Sequence, residues 1–150
     1  MSLLEVTDLK THLTSRRGLN KAVDGVSFKL EAGKSLGLVG ESGSGKSMTA
    51  LSILRLVPQP YAKIVDGSIR FNNEDLLAKS ESEMRQIRGG SISIILQDPM
   101  TSLNPVLTVG RQIGETLRLH QGLDQAQAEA RAVEMLTLVG IPEPDRKSVV

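Results

Sequence analysis

The sequence predicts an α/β fold that becomes helical towards its end, and three observations lead to this prediction. Apolar and polar residues alternate in residues 3–9 and 22–30, as they do in half-buried strands. A glycine-rich stretch at residues 40–45 separates a short apolar run from a helix-like pattern. Apolar residues recur at helical spacing after residue 124. Strands that alternate with helices in this way are typical of the α/β class.

The first half of the chain carries most of the predicted strands. The alternating segments "LLEVTDL" and "AVDGVSFKL" are predicted strands, joined by the basic loop "TSRRGLNK". The run "KSLGLVG", residues 34–40, is predicted as a short buried strand. A helix is predicted from Lys46 to Leu56, because Pro58 and Pro60 follow it.

The second half begins with the strand "GSIRF" and the turn "NNED". A short helix is predicted from Ser80 to Gln86, since Ser80 and Glu83 have capping-box spacing. The run "SISIIL", residues 91–96, is predicted as a strand. After the loop "QDPMTSLNP" we expect a helix over residues 109–120 and a last helix from the N-cap Asp124 to Gly140. The apolar face of the last helix comprises Ala128, Ala132, Met135, Leu136 and Val139.

Composition excludes several functional classes. The 150 residues carry a net charge of +1, so no strong overall field attracts nucleic acid or anionic lipid, and only three aromatic residues are available for stacking on bases. No cysteine is present, which excludes disulfides, thiolate zinc sites and cysteine nucleophiles. The first ten residues do not resemble a signal peptide, and no window approaches the roughly 20 apolar residues of a membrane-spanning helix. We therefore expect a soluble or peripheral protein that does not bind nucleic acid.

The glycine-rich stretch contains a sequence motif that predicts phosphate binding. Gly40, Gly45, Lys46 and Ser47 satisfy G-x-x-x-x-G-K-[ST], between a predicted strand and a predicted helix. Glycines let the backbone N–H groups approach a polyphosphate, and the start of a helix adds partial positive charge. The predicted nucleotide-binding residues are Gly40, Glu41, Ser42, Gly43, Ser44, Gly45, Lys46, Ser47 and Met48. We expect Lys46 to neutralise the β- and γ-phosphates of ATP, and the Ser47 hydroxyl to coordinate Mg²⁺.

A second motif, which begins at Gln97, indicates the family to which the phosphate-binding motif belongs. The loop "QDPMTSLNP" by itself is compatible with a plain surface connection. Together with "GESGSGKS", however, "QDPMTSLNPVLTVGRQIGE" resembles the ATP-binding subunits of ATP-binding cassette (ABC) transporters, in the branch that imports dipeptides and oligopeptides. The opening of the chain is similar to those subunits too, so the resemblance covers residues 3–146. It implies an ABC-type nucleotide-binding domain of the P-loop NTPase class.

The resemblance implies roles for two residues outside the phosphate-binding loop. Gln97 is implied as a catalytic residue in addition to Lys46. It is the sensor that reaches the metal and the attacking water. The family usually stacks adenine on an aromatic residue at the end of the first strand, where this chain has His12. An imidazole can stack on adenine, and an exposed loop histidine without that role is the alternative. His120, at a helix end, is interpreted as a favourable partner of the helix dipole.

The resemblance also implies partners and organisation. Residues 98–104 are implied to dock on transmembrane permease subunits at the cytoplasmic face of the bacterial inner membrane. A second ATP-binding subunit, and indirectly a solute-binding protein, complete the implied assembly. The resemblance divides the chain into residues 1–96, with N-terminal antiparallel strands and the P-loop core, and residues 97–150, with the glutamine loop and the start of a helical subdomain.

The family's later motifs do not occur in these 150 residues. After "VGIPEPDR" the family continues into a signature motif and the Walker B strand, whereas this sequence reads "KSVV". We therefore expect the front part of a cassette, unable to hydrolyse ATP alone and with open apolar strand edges. Two alternatives remain at this stage: a nucleotide-binding relic or regulatory module without turnover, and another P-loop enzyme such as a small kinase or a GTPase.

Overall fold

The computed structural model describes residues 2–16, 18–97 and 102–142. Within them the chain forms two compact units, Met1–Met84 and Arg85–Val150. In chain order the elements are β1 (Ser2–Ser15), β2 (Gly18–Glu31), α1 (Lys46–Ile53), β3 (Ala62–Phe71), β4 (Glu74–Asp75), α2 (Glu81–Gly90), α3 (Val109–Gln121) and α4 (Gln125–Leu138). The functional division at residue 96 stays a prediction.

The first unit is built on an antiparallel sheet with strand order β2-β1-β3-β4. The strands predicted from "LLEVTDL", "AVDGVSFKL" and "GSIRF" are present and longer than expected, so that only two residues separate β1 from β2 where a longer basic loop was predicted. One face of the sheet is apolar and packs with α1 and the segments that follow it. The core of this unit comprises Val6, Leu9, Val23, Leu54, Val57, Ala62, Ile69, Leu76 and Met84. Burying these side chains is the main stabilising contribution to the unit.

The capping signals of the sequence are confirmed. Ser80 and Glu83 form the predicted capping box: the Ser80 N–H and hydroxyl donate to the Glu83 carboxylate at 2.7 and 2.6 Å. These bonds hold the pKa of Glu83 below its usual range. Asp124 caps α4 in the same way, with Gln127 as the reciprocal partner. α4 ends before Gly140, whose positive φ of 77° suits glycine.

The second unit contains a helical hairpin of α3 and α4. Gly114 and Leu117 on α3, and Ala128 and Ala132 on α4, are buried between the two helices. A Cβ added at Gly114 would lie 3.8 Å from the Cβ of Ala128, which shows how closely the helices approach. Among the described residues, no helix has the length and apolarity needed to cross a bilayer.

Two strand predictions are wrong. Residues 34–40 and 91–96 adopt no strand, apart from a single bridge between Ile92 and Arg88. Most of their apolar side chains are also exposed rather than buried, at 92% for Val39 and 98% for Ile95, and Ile92 and Ile94 are half-buried. A strand needs a neighbour for its backbone hydrogen bonds, and neither segment pairs with one in the described part of the chain. An apolar run predicts a tendency to be buried, but it does not supply the pairing partner.

Candidate functional site

The predicted phosphate-binding loop, residues 40–47, includes the start of α1 at Lys46, as the motif requires. Gly45 is the N-cap of α1 with φ of 91°, and it provides no side-chain cap for the first helical N–H groups. The first turn of α1 contains no acidic side chain and begins with Lys46. Helix stability by itself favours the opposite charge at this end. The arrangement therefore leaves a helix N-terminus and a cation together, which suits an anionic ligand.

The Lys46 ammonium is held inside the loop. Its Nζ donates to the carbonyl oxygens of Gly40 and Glu41, both at 2.7 Å, and to the Ser44 hydroxyl at 3.3 Å. The Ser44 N–H in turn donates to the Glu41 carbonyl at 3.2 Å, which closes the turn. The backbone thus curls around its own cation. A phosphate at this position would meet a positive charge already placed by the loop.

Gly45 is in close contact with the antiparallel sheet. Thr11 pairs with Val23 and His12 with Lys21, so β2 has one extra residue, Ala22, opposite this step of β1. A residue left over in this way forms a β-bulge. A Cβ added at Gly45 would overlap the Ala22 carbonyl oxygen. Only glycine therefore fits between the phosphate-binding loop and the bulge.

Glycine is also favoured at the start of the loop. A Cβ added at Gly40 would lie 2.5 Å from the Ser44 Oγ, the same hydroxyl that contacts Lys46. At Gly43 the space is open, but φ is 81°, a conformation that other residues adopt at a cost. Glycine is thus favoured at positions 40, 43 and 45 for three different reasons: a nearby hydroxyl, a positive φ and a nearby backbone carbonyl.

A buried hydroxyl pair fastens α1 to the sheet, and the sequence analysis missed it. The Thr11 Oγ1 and the Ser52 Oγ lie 2.8 Å apart, and both side chains are buried. Because Ser52 gives its single hydrogen to the Met48 carbonyl at 2.7 Å, Thr11 is the donor between them. Polar residues at core-facing positions of a strand and a helix are the signal that could have indicated this pair.

The remaining loop residues have distinct environments. The side chains of Glu41, Ser42 and Ser47 are exposed, so the Ser47 hydroxyl is open to a bound ion. Met48 is half-buried and contributes its carbonyl to Ser52. The described residues contain no cluster of three His, Asp or Glu side chains suited to a metal ion. The role of Ser47 as metal ligand stays a prediction.

His12 lies on β1 next to the bulge that contacts Gly45. It pairs across the sheet with Lys21 and Lys63, and its side chain is half-buried. The His12 Nε2 is buried and has no hydrogen-bond partner among the described residues. Its predicted contact with adenine stays a prediction, and the structure places it on the strand that borders the loop.

Gln97 belongs to the second unit. It is exposed and follows residues 91–96. Of the predicted docking segment 98–104, residues 98–101 lie outside the described residues, whereas Ser102, Leu103 and Asn104 are exposed. The predicted sensor role of Gln97 is therefore an expectation from the sequence.

Comparisons with known proteins agree with this geometry. The sequence model of the family described as "ABC transporter" matches residues 23–150. The chain is 51% identical over 145 residues to the probable peptide ABC transporter ATP-binding protein y4tR of Sinorhizobium fredii, covering 97% of this chain and 43% of that protein. It is 48% identical over 145 residues to the oligopeptide transport ATP-binding protein AppD of Bacillus subtilis, covering 97% of this chain and 44% of that protein.

The fold has a counterpart among solved structures. The ATP-binding cassette MJ0796, in a dimeric post-hydrolysis state bound to ADP and Pi, superposes with a TM-score of 0.81 at 20% identity. The match covers 97% of this chain and 61% of the cassette chain, and it identifies the fold alone. The chain thus spans less than half the length of the curated relatives named above.

Proposed function

The chain belongs to the ABC transporter family, and from that membership we propose that it is the ATP-binding part of a transporter that imports peptides or related solutes. The observation that carries the proposal is the Lys46 ammonium, held by the curled loop at the N-terminus of α1. The names of the relatives, probable peptide and oligopeptide transport proteins, support the choice of solute class.

The residues of the loop fit ATP as the ligand. The glycines at positions 40, 43 and 45 allow an approach that a Cβ would block or strain, and the first turn of α1 offers N–H donors. Lys46 would exchange its carbonyl partners for phosphate oxygens and neutralise their charge. Ser47, exposed beside Lys46, would hold Mg²⁺, which would add positive charge next to the phosphates. Gln97 would orient water near the same phosphate, and His12 would contact adenine.

Hydrolysis and transport belong to the larger assembly in this proposal. The family is one of transport ATPases. Turnover requires a group that orients the attacking water and a second group that places charge on the opposite side of the γ-phosphate. We propose that a second ATP-binding subunit supplies that charge; the dimeric state of the cassette with the same fold supports this. The assembly would lie at the cytoplasmic face of the bacterial inner membrane.

The metal role of Ser47 gives a direct test. We expect Ser47→Ala to weaken ATP binding in the presence of Mg²⁺ by about tenfold, because one oxygen ligand of the ion is lost. In excess chelator the variant and the wild type should bind ATP equally. Titration calorimetry with and without Mg²⁺ measures both values.

Ser35→Ala is the matched control for Ser47→Ala. Ser35 is an exposed serine that precedes the loop, and no nucleotide-binding or metal role is predicted for it. It should behave like the wild type under both conditions. If Ser47→Ala weakens binding as much in chelator as in Mg²⁺, Ser47 does not bind the ion.

The docking of permease subunits gives a second test. We propose that residues 98–104 and the loop after them face the membrane partner. Ser102 is exposed and Val106 is 81% exposed. Because the chain contains no cysteine, single cysteines at these two positions can be cross-linked without other changes. Both should cross-link to the cognate permease in membranes, and gel mobility would report the product.

A cysteine at Leu138 is the control, since this residue is 75% exposed on α4, away from the proposed docking loop in sequence. It should not cross-link to the permease. If the cysteine at Leu138 cross-links while those at Ser102 and Val106 do not, the docking surface lies on the helical hairpin instead.

A further inference from the structure

The side chain of His120 lies against a turn of two glycines. His120 is the second-to-last residue of α3 and is half-buried. A Cβ added at Gly89 would be 2.7 Å from the His120 Nε2, and one added at Gly90 would be 3.3 Å from its Nδ1. The ring therefore lies close to the backbone of the turn, and an added Cβ at either position would press on it. Gly89 also has φ of 88°, which favours glycine.

The glycine turn fixes the start of the segment that leads to Gln97. The Ser91 and Ile92 N–H groups both donate to the Ile87 carbonyl at 2.9 Å, and the Gly89 N–H donates to the Ile92 carbonyl at 2.8 Å. Ile92 is thus tied to the end of α2, five positions before Gln97. A shift of the turn would shift the origin of this segment.

The other end of α3 holds the chain beyond the glutamine loop. The Gln112 Oε1 accepts from the Asn104 N–H at 2.8 Å, and its Nε2 donates to the Asn104 and Leu107 carbonyls, both at 3.0 Å. One side-chain amide thereby binds both backbone groups of Asn104. The Leu107 N–H also donates to the Asn104 carbonyl at 3.1 Å, so this connection is compact.

We propose that α3 positions Gln97 from both sides, with His120 acting on the preceding glycine turn and Gln112 on the following loop. The two residues are separated by about 12 Å of helix at the usual rise per residue. A hydrogen-bonded helix keeps that distance fixed. The chain before residues 98–101 and the chain after them are therefore both held by the same rigid helix, α3. The inference rests on the proposed sensor role of Gln97, and it adds His120 and Gln112 as positioning residues.

Hydrogen exchange in the nucleotide-free chain tests the contact itself. In His120→Ala the amides of Gly89, Ser91 and Ile92 should exchange about tenfold faster, because the turn loses the ring that covers it. In His120→Phe, which keeps a flat ring, they should exchange at nearly the wild-type rate. Thr116→Ala, an exposed change on the same helix, is the control and should leave these amides unchanged.

A general structural role for His120 would give a different result. If His120 only stabilised the helical hairpin, the amides of α4 would exchange faster together with those of the turn. Unchanged exchange at Gly89, Ser91 and Ile92 in His120→Ala would overturn the proposal. Should His120→Ala fail to fold, Gly90→Ala tests the same contact, since its Cβ would press on the ring from the other side.

The effect on Gln97 needs a separate measurement. The side-chain amide resonance of Gln97 should shift when Mg²⁺ and ATP are added to the wild type. It should shift much less in His120→Ala and in Gln112→Ala, although both variants keep the ATP affinity of the wild type. Equal shifts in all three proteins would contradict positioning by α3. If ATP does not bind at all, the proposed function fails instead, and the exchange experiment still decides the contact.

Discussion

Replacing Lys46 by alanine should weaken ATP binding at least tenfold. The ammonium is the only side-chain cation placed by the motif at the N-terminus of α1, and its three hydrogen bonds show that the loop is shaped around it. Charge-assisted hydrogen bonds contribute about 1.5 to 3 kcal/mol each, and 1.4 kcal/mol corresponds to a factor of ten in affinity. Titration calorimetry of the wild type and Lys46→Ala with ATP gives the comparison.

Lys34→Ala is the matched control for this experiment. It removes the same charge from an exposed position six residues before the loop, outside the motif. Its affinity for ATP should stay within about twofold of the wild type, since charges at exposed positions are screened. If Lys46→Ala and Lys34→Ala bind ATP equally well, the loop does not hold a triphosphate in the proposed way.

Gly45→Ala should damage both the loop and its function, with a loss of ATP affinity of about a hundredfold or more. The substitution forces a left-handed conformation on a residue with a Cβ, and it drives that Cβ into the Ala22 carbonyl. Left-handed strain alone costs about 1 to 2 kcal/mol. The overlap adds to it, because the carbonyl belongs to a paired strand and cannot rotate away. Denaturant unfolding and calorimetry with ATP would measure the two consequences.

Gly43→Ala separates strain from overlap. Gly43 has a similar positive φ in the same loop, but nothing lies within 4 Å of an added Cβ. It should therefore cost only the left-handed strain, and it should retain measurable ATP binding. Equal losses in Gly43→Ala and Gly45→Ala would show that the contact with Ala22 does not matter.

The sequence predicted the local features of this protein well. Turn and cap residues act through their immediate neighbours, which is why the capping box at Ser80, the N-cap at Asp124 and the stop at Gly140 are confirmed. The motif around Lys46 was found for the same reason, since its residues are contiguous. The alternation in β1 and β2 was sufficient to predict two strands at the start of the chain.

Features that depend on distant partners were not predicted. The apolar runs at residues 34–40 and 91–96 have the composition of strands, but pairing is a property of two segments and is not encoded in one of them. The Thr11 and Ser52 hydroxyls lie 41 positions apart, and their contact follows from the packing of α1 on the sheet. His120 lies in the last turn of α3, as its interpretation through the helix dipole expected, but its contact with Gly89 and Gly90 was not predicted.

The bulge at Ala22 determines where this chain can change its length. Residues inserted at the hairpin connection between β1 and β2 should leave the carbonyl that meets Gly45 in place, because four paired residues of β2, 18–21, separate that connection from Ala22. Deleting a single residue between Lys21 and Val23 would instead restore regular pairing and withdraw that carbonyl. We therefore expect changes of hairpin length to be tolerated at the tip, and grafting this phosphate-binding loop onto another protein would require its strand pair as well.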